Sequence, residues 1–468
     1  MKRGIDLKKK KRQIGTGLVT ACLIVVMGAG PAAAEAALLY ADQTKTEETA
    51  DESAQEETEI WQEETESWSD VSETQTERKT QTKTSPDKSS ASLKAPVITT
   101  RINGERPAFS WKPVKGAAAY EVWRKDEGAW KKTVLKGKYW IYFSDRKAAV
   151  GHPVRYKVRA VGRDKSCSDF SPVIKLVKHP DIPAILSLKK TRISWHKVTG
   201  ADYYQIYMKK SKNSHWKKIG TSSTTSFKIR GSDYSKRGYY TVRAVAGRYQ
   251  SDMDPGFQLG TKSRKKLKVL IDGDSITAPY FSWAERSCRK LKLSYTNRAV
   301  NGSRISSTAP SAKKDIYKRS VKKGFKGYDL IILSAGTNDY GYNARLGSRN
   351  STDPETFYGA WNRILKKARR DAPKAKIIIC TPQNRGRLDN RYNINGYQWQ
   401  NRRRHTLAQY ANAEIVMAKK YKCLLYRAPD SGVIKAGNVK KTTVDLLHPT
   451  RMTHIKISED FIRFLETL

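Results

Sequence analysis

Two patterns of hydrophobic and polar positions divide the chain. Between residues 96 and 258, short runs of β-branched and aromatic residues alternate with polar ones and are separated by turn residues. From residue 262 onward, apolar runs alternate with stretches of helical periodicity, and these runs lie at 269–271, 330–333, 377–380 and 423–426. The first pattern predicts small antiparallel sandwiches. The second predicts an α/β domain, in which helices cover both faces of a parallel sheet.

The all-β region contains an internal repeat with an offset of 84 residues. Each unit has a strand with a Trp, a Val-x-Gly-Ala turn and a Tyr-x-Val-Arg-Ala-Val strand. The matching segments are 109–117 with 193–201, 120–123 with 204–207, and 156–161 with 240–245. These features resemble bacterial fibronectin type III domains, and we predict one such domain at 96–179 and a second at 180–259. The resemblance implies spacers or weak polysaccharide binders, and it indicates fold more than function.

The N-terminal segment has the three parts of an export signal. A basic stretch at 1–13 precedes a largely apolar stretch at 14–30, and small residues continue to Ala34. We predict a signal peptide over residues 1–34, secretion or cell-surface association, and no stable membrane anchor after cleavage. Cleavage after Ala36 and an uncleaved anchor are the alternatives. Residues 35–95 are predicted to form a disordered acidic linker rich in Ser, Thr and Glu, because they contain too few apolar residues to form a core.

Charge is distributed unevenly along the chain, whose formal net charge is +45. Residues 41–80 hold 14 Asp/Glu against 3 Lys/Arg, a local −11, whereas residues 262–468 are strongly basic. A basic body favours anionic partners such as acidic polysaccharide, nucleic acid or a membrane surface. The predicted export and the lack of a recognition motif favour a cell-wall polysaccharide, and no nucleic-acid partner is expected.

Four cysteines follow the predicted signal peptide, and none is in metal-site spacing: Cys167, Cys288, Cys380 and Cys423. Cys380 and Cys423 lie in apolar runs and are expected to be buried apolar thiols, with a Cys380–Cys423 disulfide left open. No cluster of His and carboxylate residues has ligand spacing, so neither a metal nor a cofactor is expected.

Four polar segments follow apolar runs in the α/β region. The first run breaks at Gly273 and presents Ser275, a candidate nucleophile. Gly302 allows a backbone N–H to approach a substrate oxygen, and Asn338 can donate its amide to an oxyanion. Asp445 and His448 are three residues apart, so the carboxylate can orient its own imidazole in a turn. These residues together have the side chains that acyl transfer needs.

The four segments resemble the blocks of SGNH hydrolases, also called the GDSL-like lipase/acylhydrolase family, and occur in the family's order. The blocks are Gly273-Asp274-Ser275-Ile276, Gly302, Gly336-x-Asn338-Asp339 and Asp445-x-x-His448. The resemblance implies an SGNH domain at 262–468 with a flavodoxin-like, three-layer fold. It also implies Ser275 as nucleophile, His448 as general base and then acid, and Asp445 as its orienting group. The oxyanion hole would comprise the N–H groups of Ser275 and Gly302 and the Asn338 side chain.

Other residues of these types have weaker support as catalysts. Asp274 is expected to be a structural hydrogen-bonding residue, and His405 and His454 have no carboxylate three residues before them. We therefore predict a secreted serine esterase that forms an acyl-enzyme and acts on an acylated extracellular polysaccharide. A lipid or short-chain acyl esterase, an acyltransferase of the same family, and a non-catalytic cell-wall-binding protein are the alternatives.

Overall fold

The computed structural model describes residues 92–260, 267–386 and 396–467. The predicted signal peptide (1–34) lies outside the described residues, as does the predicted linker (35–95) up to residue 91. In the described part of the chain, no helix combines the length and the apolar character needed to cross a membrane.

The first sandwich packs a sheet of order β1-β2-β5 against a sheet of order β4-β3-β6-β7. Its strands are β1 Ile98–Ile102, β2 Ala108–Trp111, β3 Ala119–Lys125, β4 Lys131–Lys136, β5 Tyr142–Ser144, β6 Pro153–Val161 and β7 Ile174–Val177. The central strand β6 alternates buried and more exposed residues, as the period of two requires. Trp111 packs edge-on against Tyr120 in the core, with 5.3 Å between ring centroids.

The second sandwich repeats this arrangement, with sheets of order β12-β9-β8 and β11-β10-β13-β14, and β15 paired to β13. Its strands are β8 Ile185–Lys189, β9 Arg192–Trp195, β10 Tyr203–Lys209, β11 Lys217–Ser222, β12 Ser226–Lys228, β13 Tyr239–Ala246, β14 Tyr249–Gln250 and β15 Phe257–Gln258. Trp195 and Tyr204 reproduce the core contact at 5.2 Å. The predicted pair of fibronectin type III-like sandwiches is thus confirmed.

The C-terminal domain contains a parallel sheet of order β17-β16-β18-β19-β20. Its strands are β16 Lys268–Gly273, β17 Ser294–Asn297, β18 Leu330–Ser334, β19 Lys376–Cys380 and β20 Leu424–Tyr426. Its helices are α1 Trp283–Lys290, α2 Ile316–Lys323, α3 Thr337–Gly341, α4 Phe357–Asp371, α5 Leu407–Lys420, α6 Val439–Thr442 and α7 Arg451–Glu466. The strand order is that of a doubly wound flavodoxin-like sheet, so the predicted α/β class is confirmed.

Helices cover the two faces of this sheet. On one face α4 packs against α2 and α5, and on the other α1 packs against α7. Phe357, Trp361 and Leu365 are fully buried on α4, as their helical spacing predicts. Cys380 is the last residue of β19, and Cys423 directly precedes β20. Both are free thiols, so the disulfide left open by the sequence is absent among the described residues.

The two sandwiches pack directly against the C-terminal domain, which differs from the spacer role implied by their resemblance. In the second sandwich Asp254 accepts two hydrogen bonds from Arg286 of α1, from Nε and Nη2 at 2.8 Å each. Both side chains are buried. A buried bidentate ion pair fixes one orientation of the two partners. His196 also lies on Tyr280, with ring centroids 4.0 Å apart.

Candidate active site

Ser275 lies just beyond the carboxyl end of β16, between the ends of β17 and β18. The turn after the strand is closed by N–H groups of Thr277 and Ala278, which both donate to the Asp274 carbonyl at 2.9 Å. Gly273 is required at the strand end, because a Cβ there would lie 2.3 Å from the Ser334 carbonyl oxygen. In open α/β sheets this edge is where ligands bind.

Helix α1 begins at Trp283, and Ser282 is its N-cap, with its hydroxyl accepting from the Glu285 N–H at 3.4 Å. The first residue of α1 is therefore eight residues beyond Ser275 along the chain. The residues between them form turns.

A continuous chain of hydrogen bonds links Ser275, His448 and Asp445. The Ser275 Oγ to His448 Nε2 distance is 2.9 Å, and the His448 Nδ1 to Asp445 Oδ2 distance is 2.8 Å. An ionised carboxylate can only accept, so Nδ1 carries the proton and Nε2 is left to accept the serine O–H. This is the arrangement of a nucleophile, a general base and an orienting acid.

The charge on Asp445 is stabilised by its surroundings. Burial raises the pKa of this carboxyl group, but the His448 ring lowers it by charge and by hydrogen bonding, and Arg106 lowers it further. The net effect holds the pKa of Asp445 well below its usual range. These neighbours favour the ionised carboxylate, which can stabilise an imidazolium on His448.

The segment between Asp445 and His448 is a tight, strained loop. His448 N–H donates to Asp445 Oδ1 at 2.8 Å, and Val444 N–H donates to the His448 carbonyl at 2.8 Å. Between them, Leu446 adopts a left-handed conformation with φ of 71°, which is unfavourable for a bulky residue. Such strain persists only where contacts over-determine the backbone. One such contact is the hydrogen bond from Gly386 N–H to the Leu446 carbonyl at 2.7 Å.

Three predicted oxyanion donors come from segments that meet at this edge of the sheet. The backbone N–H groups of Ser275 and Gly302 donate to no acceptor in the described part of the chain. Asn338 Nδ2 donates to the Ser303 carbonyl at 3.1 Å, which links the segment of Gly302 to that of Asn338. The Asn338 amide has a second hydrogen, which remains for a substrate oxygen. The Val300 N–H to Gly273 carbonyl bond at 3.2 Å joins the first two segments.

The buried carboxylates around Ser275 accept hydrogen bonds from backbone N–H groups. Asp274 Oδ1 accepts from Ile276 N–H at 3.0 Å, as expected of a structural residue, and burial raises its pKa to about 7. Asp339 accepts from the N–H of Ile305 and the N–H of Ser306, each at 2.9 Å. It therefore holds the segment after Gly302 beside α3. No group of three metal-binding side chains occurs among the described residues.

The histidines without a nearby carboxylate lie away from this chain of hydrogen bonds. His454 is buried in α7, where its Nδ1 accepts from Trp283 N–H at 3.3 Å. Burial, together with Arg451 and His448, lowers the pKa of His454 to about 3, so it is a neutral packing residue. His405 packs edge-on near Tyr410, with ring centroids 6.3 Å apart.

Glu414 is a residue of the site region that the sequence analysis did not single out. It is fully buried in α5, and neither carboxyl oxygen has a hydrogen-bond partner in the described part of the chain. A Cβ added at Gly336, two residues before Asn338, would lie 3.1 Å from its Oε1. The sequence feature that could have revealed Glu414 is an acidic residue within the apolar face of α5, which is formed by residues 407, 410, 411, 417 and 418.

Glu414 is expected to make the stability of the protein fall as pH rises. Burial raises its pKa well above the ordinary value of 4.5, and the charges of Asp339 and Asp274 raise it further. The folded state then binds more protons than the unfolded state above about pH 4.5. The contribution of Glu414 to the free energy of unfolding is complete below that pH and is lost as pH rises towards the folded-state pKa. The free energy of unfolding then falls by at most about 1.4 kcal/mol per pH unit.

Chemical denaturation of wild type and Glu414→Gln from pH 5 to pH 9 measures this slope. The difference in free energy of unfolding, variant minus wild type, should increase with pH. Glu355→Gln, at an exposed carboxylate, is the matched control and should leave the slope unchanged. Parallel pH dependences for wild type and Glu414→Gln would contradict the expectation.

Comparison with known proteins identifies relatives of the C-terminal domain. Residues 273–454 match the model of the GDSL-like Lipase/Acylhydrolase family, which confirms the resemblance noted in the sequence. Comparison with curated proteins gave no match.

Several solved structures are similar to parts of the chain. A protein from Lactobacillus plantarum has 23% identity over 44% of this chain and 99% of its own, with a TM-score of 0.39. A member of the lipolytic protein G-D-S-L family from Veillonella parvula has 13% identity over 43% of this chain and 99% of its own, with a TM-score of 0.32. A segment of two fibronectin type III domains from chicken tenascin has 15% identity over 34% and 95%, with a TM-score of 0.26.

Proposed function

We propose that this chain is a secreted esterase that removes acetyl or similar small acyl groups from an anionic extracellular polysaccharide. Its residues 273–454 form a GDSL-like lipase/acylhydrolase domain, which makes it an ester-hydrolysing serine hydrolase. The observation that carries the chemistry is the hydrogen-bonded chain from Ser275 through His448 to Asp445. The polysaccharide and the export are proposals supported by charge and by the predicted signal peptide.

In the first half of the reaction Ser275 Oγ attacks the ester carbonyl carbon, and its proton passes to His448 Nε2. The carbonyl π-electrons move to oxygen, and the resulting oxyanion accepts from the N–H groups of Ser275 and Gly302 and from Asn338. The intermediate collapses as the C–O bond breaks, and His448 Nε2–H protonates the departing sugar oxygen. This leaves an acyl-enzyme on Ser275.

In the second half a water molecule takes the place of the alcohol. It gives a proton to His448 Nε2 as its oxygen attacks the acyl carbon, and the carboxylic acid leaves when Ser275 Oγ recovers that proton. Asp445 remains ionised throughout and stabilises the imidazolium in both halves.

Positive side chains near Asn338 support an anionic substrate. We define the arginine rim as Arg304 and Arg385. Arg304 follows Ser303 directly, and its guanidinium carbon Cζ lies 3.6 Å from the ring centroid of Tyr342. Arg385 Nη1 donates to Thr337 Oγ1, beside Asn338, at 3.3 Å. Clefts lined by one sign of charge attract substrates of the opposite sign and raise their local concentration.

The substrate proposal is tested by acetate release from one O-acetylated polysaccharide in two forms, with its carboxylates intact and with them reduced to alcohols. Purified full-length protein should release acetate faster from the anionic form, and the preference should shrink as salt is raised. Ser275→Ala is the control for background hydrolysis. N-terminal sequencing of protein recovered outside the producing cells tests export, with cleavage after Ala34 expected.

The outcomes separate the two parts of the proposal. Hydrolysis of a small neutral ester without release of acetate from either polysaccharide would contradict the substrate and leave the esterase. Equal rates on the two polysaccharides would contradict the role of the arginine rim. Protein found only inside the cells, with residues 1–34 retained, would contradict export.

A further inference from the structure

The loop that carries Asp445 and His448 is contacted by the first sandwich. In that sandwich Ser144 Oγ donates to the Val444 carbonyl at 2.6 Å, one residue before Asp445. At the other end of the loop, the Glu105 carboxylate accepts from Arg451 N–H, with distances of 2.6 and 2.8 Å to its two oxygens. Both sides of the catalytic loop are therefore held by residues more than 290 positions earlier in the chain.

The same sandwich places two guanidinium groups beside the catalytic carboxylate. Arg106 Nη1 lies 3.6 Å and Arg146 Nη2 lies 3.5 Å from Asp445 Oδ2. This is the oxygen that accepts from His448 Nδ1. The arginine side chains are 26% and 30% exposed and the Asp445 side chain is 12% exposed, so water screens these charges only in part.

The first sandwich differs from the second at the points of contact. The turn between β1 and β2 comprises residues 103–107, whereas the turn between β8 and β9 comprises only residues 190–191. The longer turn supplies Glu105 and Arg106. At the repeat offset of 84, Ser144 is replaced by Lys228, and Arg146 corresponds to Arg230, which is exposed. The contacts that Glu105, Arg106, Ser144 and Arg146 make with the catalytic loop therefore have no counterpart at the equivalent positions of the second sandwich.

We infer that the first fibronectin type III-like domain completes the catalytic site, with Arg106 and Arg146 acting as positioning residues for the Asp445–His448 pair. The two cations hold the carboxylate in the orientation that accepts from Nδ1, while Ser144 and Glu105 hold the ends of the loop. The inference rests on the proposed catalytic roles of Ser275, His448 and Asp445, and it is independent of the polysaccharide.

Electrostatics give the two arginines a measurable effect on the base. Among the described residues, the charged and titratable groups that face Asp445 include His448, Arg106, Arg146 and Tyr142. Asp274 and His454 also interact with His448. A nearby cation disfavours protonation of an imidazole. Removing the arginines should therefore let His448 take up a proton at higher pH, where it can no longer act as a base.

The test compares full-length wild type with the double variant Arg106→Gln/Arg146→Gln, using a small neutral ester. We expect kcat to fall on the order of tenfold with KM unchanged, and the acidic limb of the pH–rate profile to move to higher pH. Arg106→Lys/Arg146→Lys should recover most of the activity and the profile, because it keeps both charges. Arg230→Gln, at the corresponding position of the second sandwich, should behave as wild type.

A second readout does not depend on the choice of ester. The rate at which a fluorophosphonate labels Ser275 is measured against pH for the same variants, after circular dichroism shows that each is folded. Slower labelling of the Gln double variant, with its pH profile moved up, supports the inference. If the double variant is labelled at the same rate as wild type, with the same dependence on pH, the inference is wrong. If the double variant changes only KM, and only for an anionic ester, the arginines bind substrate instead. A folded wild type that does not label would contradict the catalytic roles themselves.

Discussion

Asp445→Asn is expected to lower kcat by about 10³- to 10⁴-fold while leaving the protein folded. The carboxylate accepts from His448 Nδ1 at 2.8 Å and thereby leaves Nε2 free to accept the Ser275 proton. An amide can present its N–H₂ group to Nδ1 and so favour the tautomer with the proton on Nε2. That tautomer cannot act as a base towards Ser275. The loss of negative charge also removes the stabilisation of the imidazolium.

Steady-state kinetics on a small neutral ester measure this effect, with thermal unfolding as the check on fold. Asp430→Asn is the matched control, since Asp430 is an exposed carboxylate of the same domain that pairs with Arg427. Its kcat should equal that of wild type. A folded Asp445→Asn variant within tenfold of wild type would show that another group orients His448 or that His448 is not the base.

Asn338→Ala should lower kcat by about 10²- to 10³-fold, or about 2.7–4 kcal/mol of transition-state stabilisation. The oxyanion forms only as the reaction proceeds, so KM for a small neutral ester should change little. Asn338 also donates to the Ser303 carbonyl at 3.1 Å, and its loss could shift the segment that carries Gly302. Kinetics and stability must therefore be measured together.

Two comparisons distinguish these effects. Asn350→Ala, at an exposed position of the same domain, should leave both kcat and the unfolding temperature unchanged. If Asn338→Ala reduces kcat with an unfolding temperature near that of wild type, the side chain acts on the transition state. A kcat equal to that of wild type would remove Asn338 from the oxyanion hole.

The sequence best predicted the elements that are determined by the local order of apolar and polar residues. The period of two and the repeat offset predicted both sandwiches, and the alternation of apolar strands with helices predicted the parallel sheet. Strand β17, Ser294–Asn297, was not among the predicted strands, because this edge strand contributes only one large hydrophobic residue, Tyr295.

Ser275, Gly302 and Asn338 were predictable as parts of one site because they lie in segments that follow strands of one parallel sheet, whose ends meet at the same edge. Asp445 and His448 lie beyond α6 instead, and their three-residue spacing identified them as a pair. Ser275 and His448 meet although 173 residues separate them.

The contributions of Arg106 and Arg146 were not predictable, because they depend on how two domains dock. Neither arginine differs in local pattern from other surface arginines. Glu414 interrupts the apolar face of α5, but the interruption does not reveal that its carboxyl oxygens lack partners.

The central claim is that Ser275 is a nucleophile activated by His448. Its most direct test is reaction of the purified full-length protein with a fluorophosphonate, followed by peptide mapping of the adduct by mass spectrometry. One covalent adduct is expected, on Ser275, and none on folded Ser275→Ala. An adduct on a different serine, or no adduct on folded wild-type protein at a pH where His448 is neutral, would contradict the account.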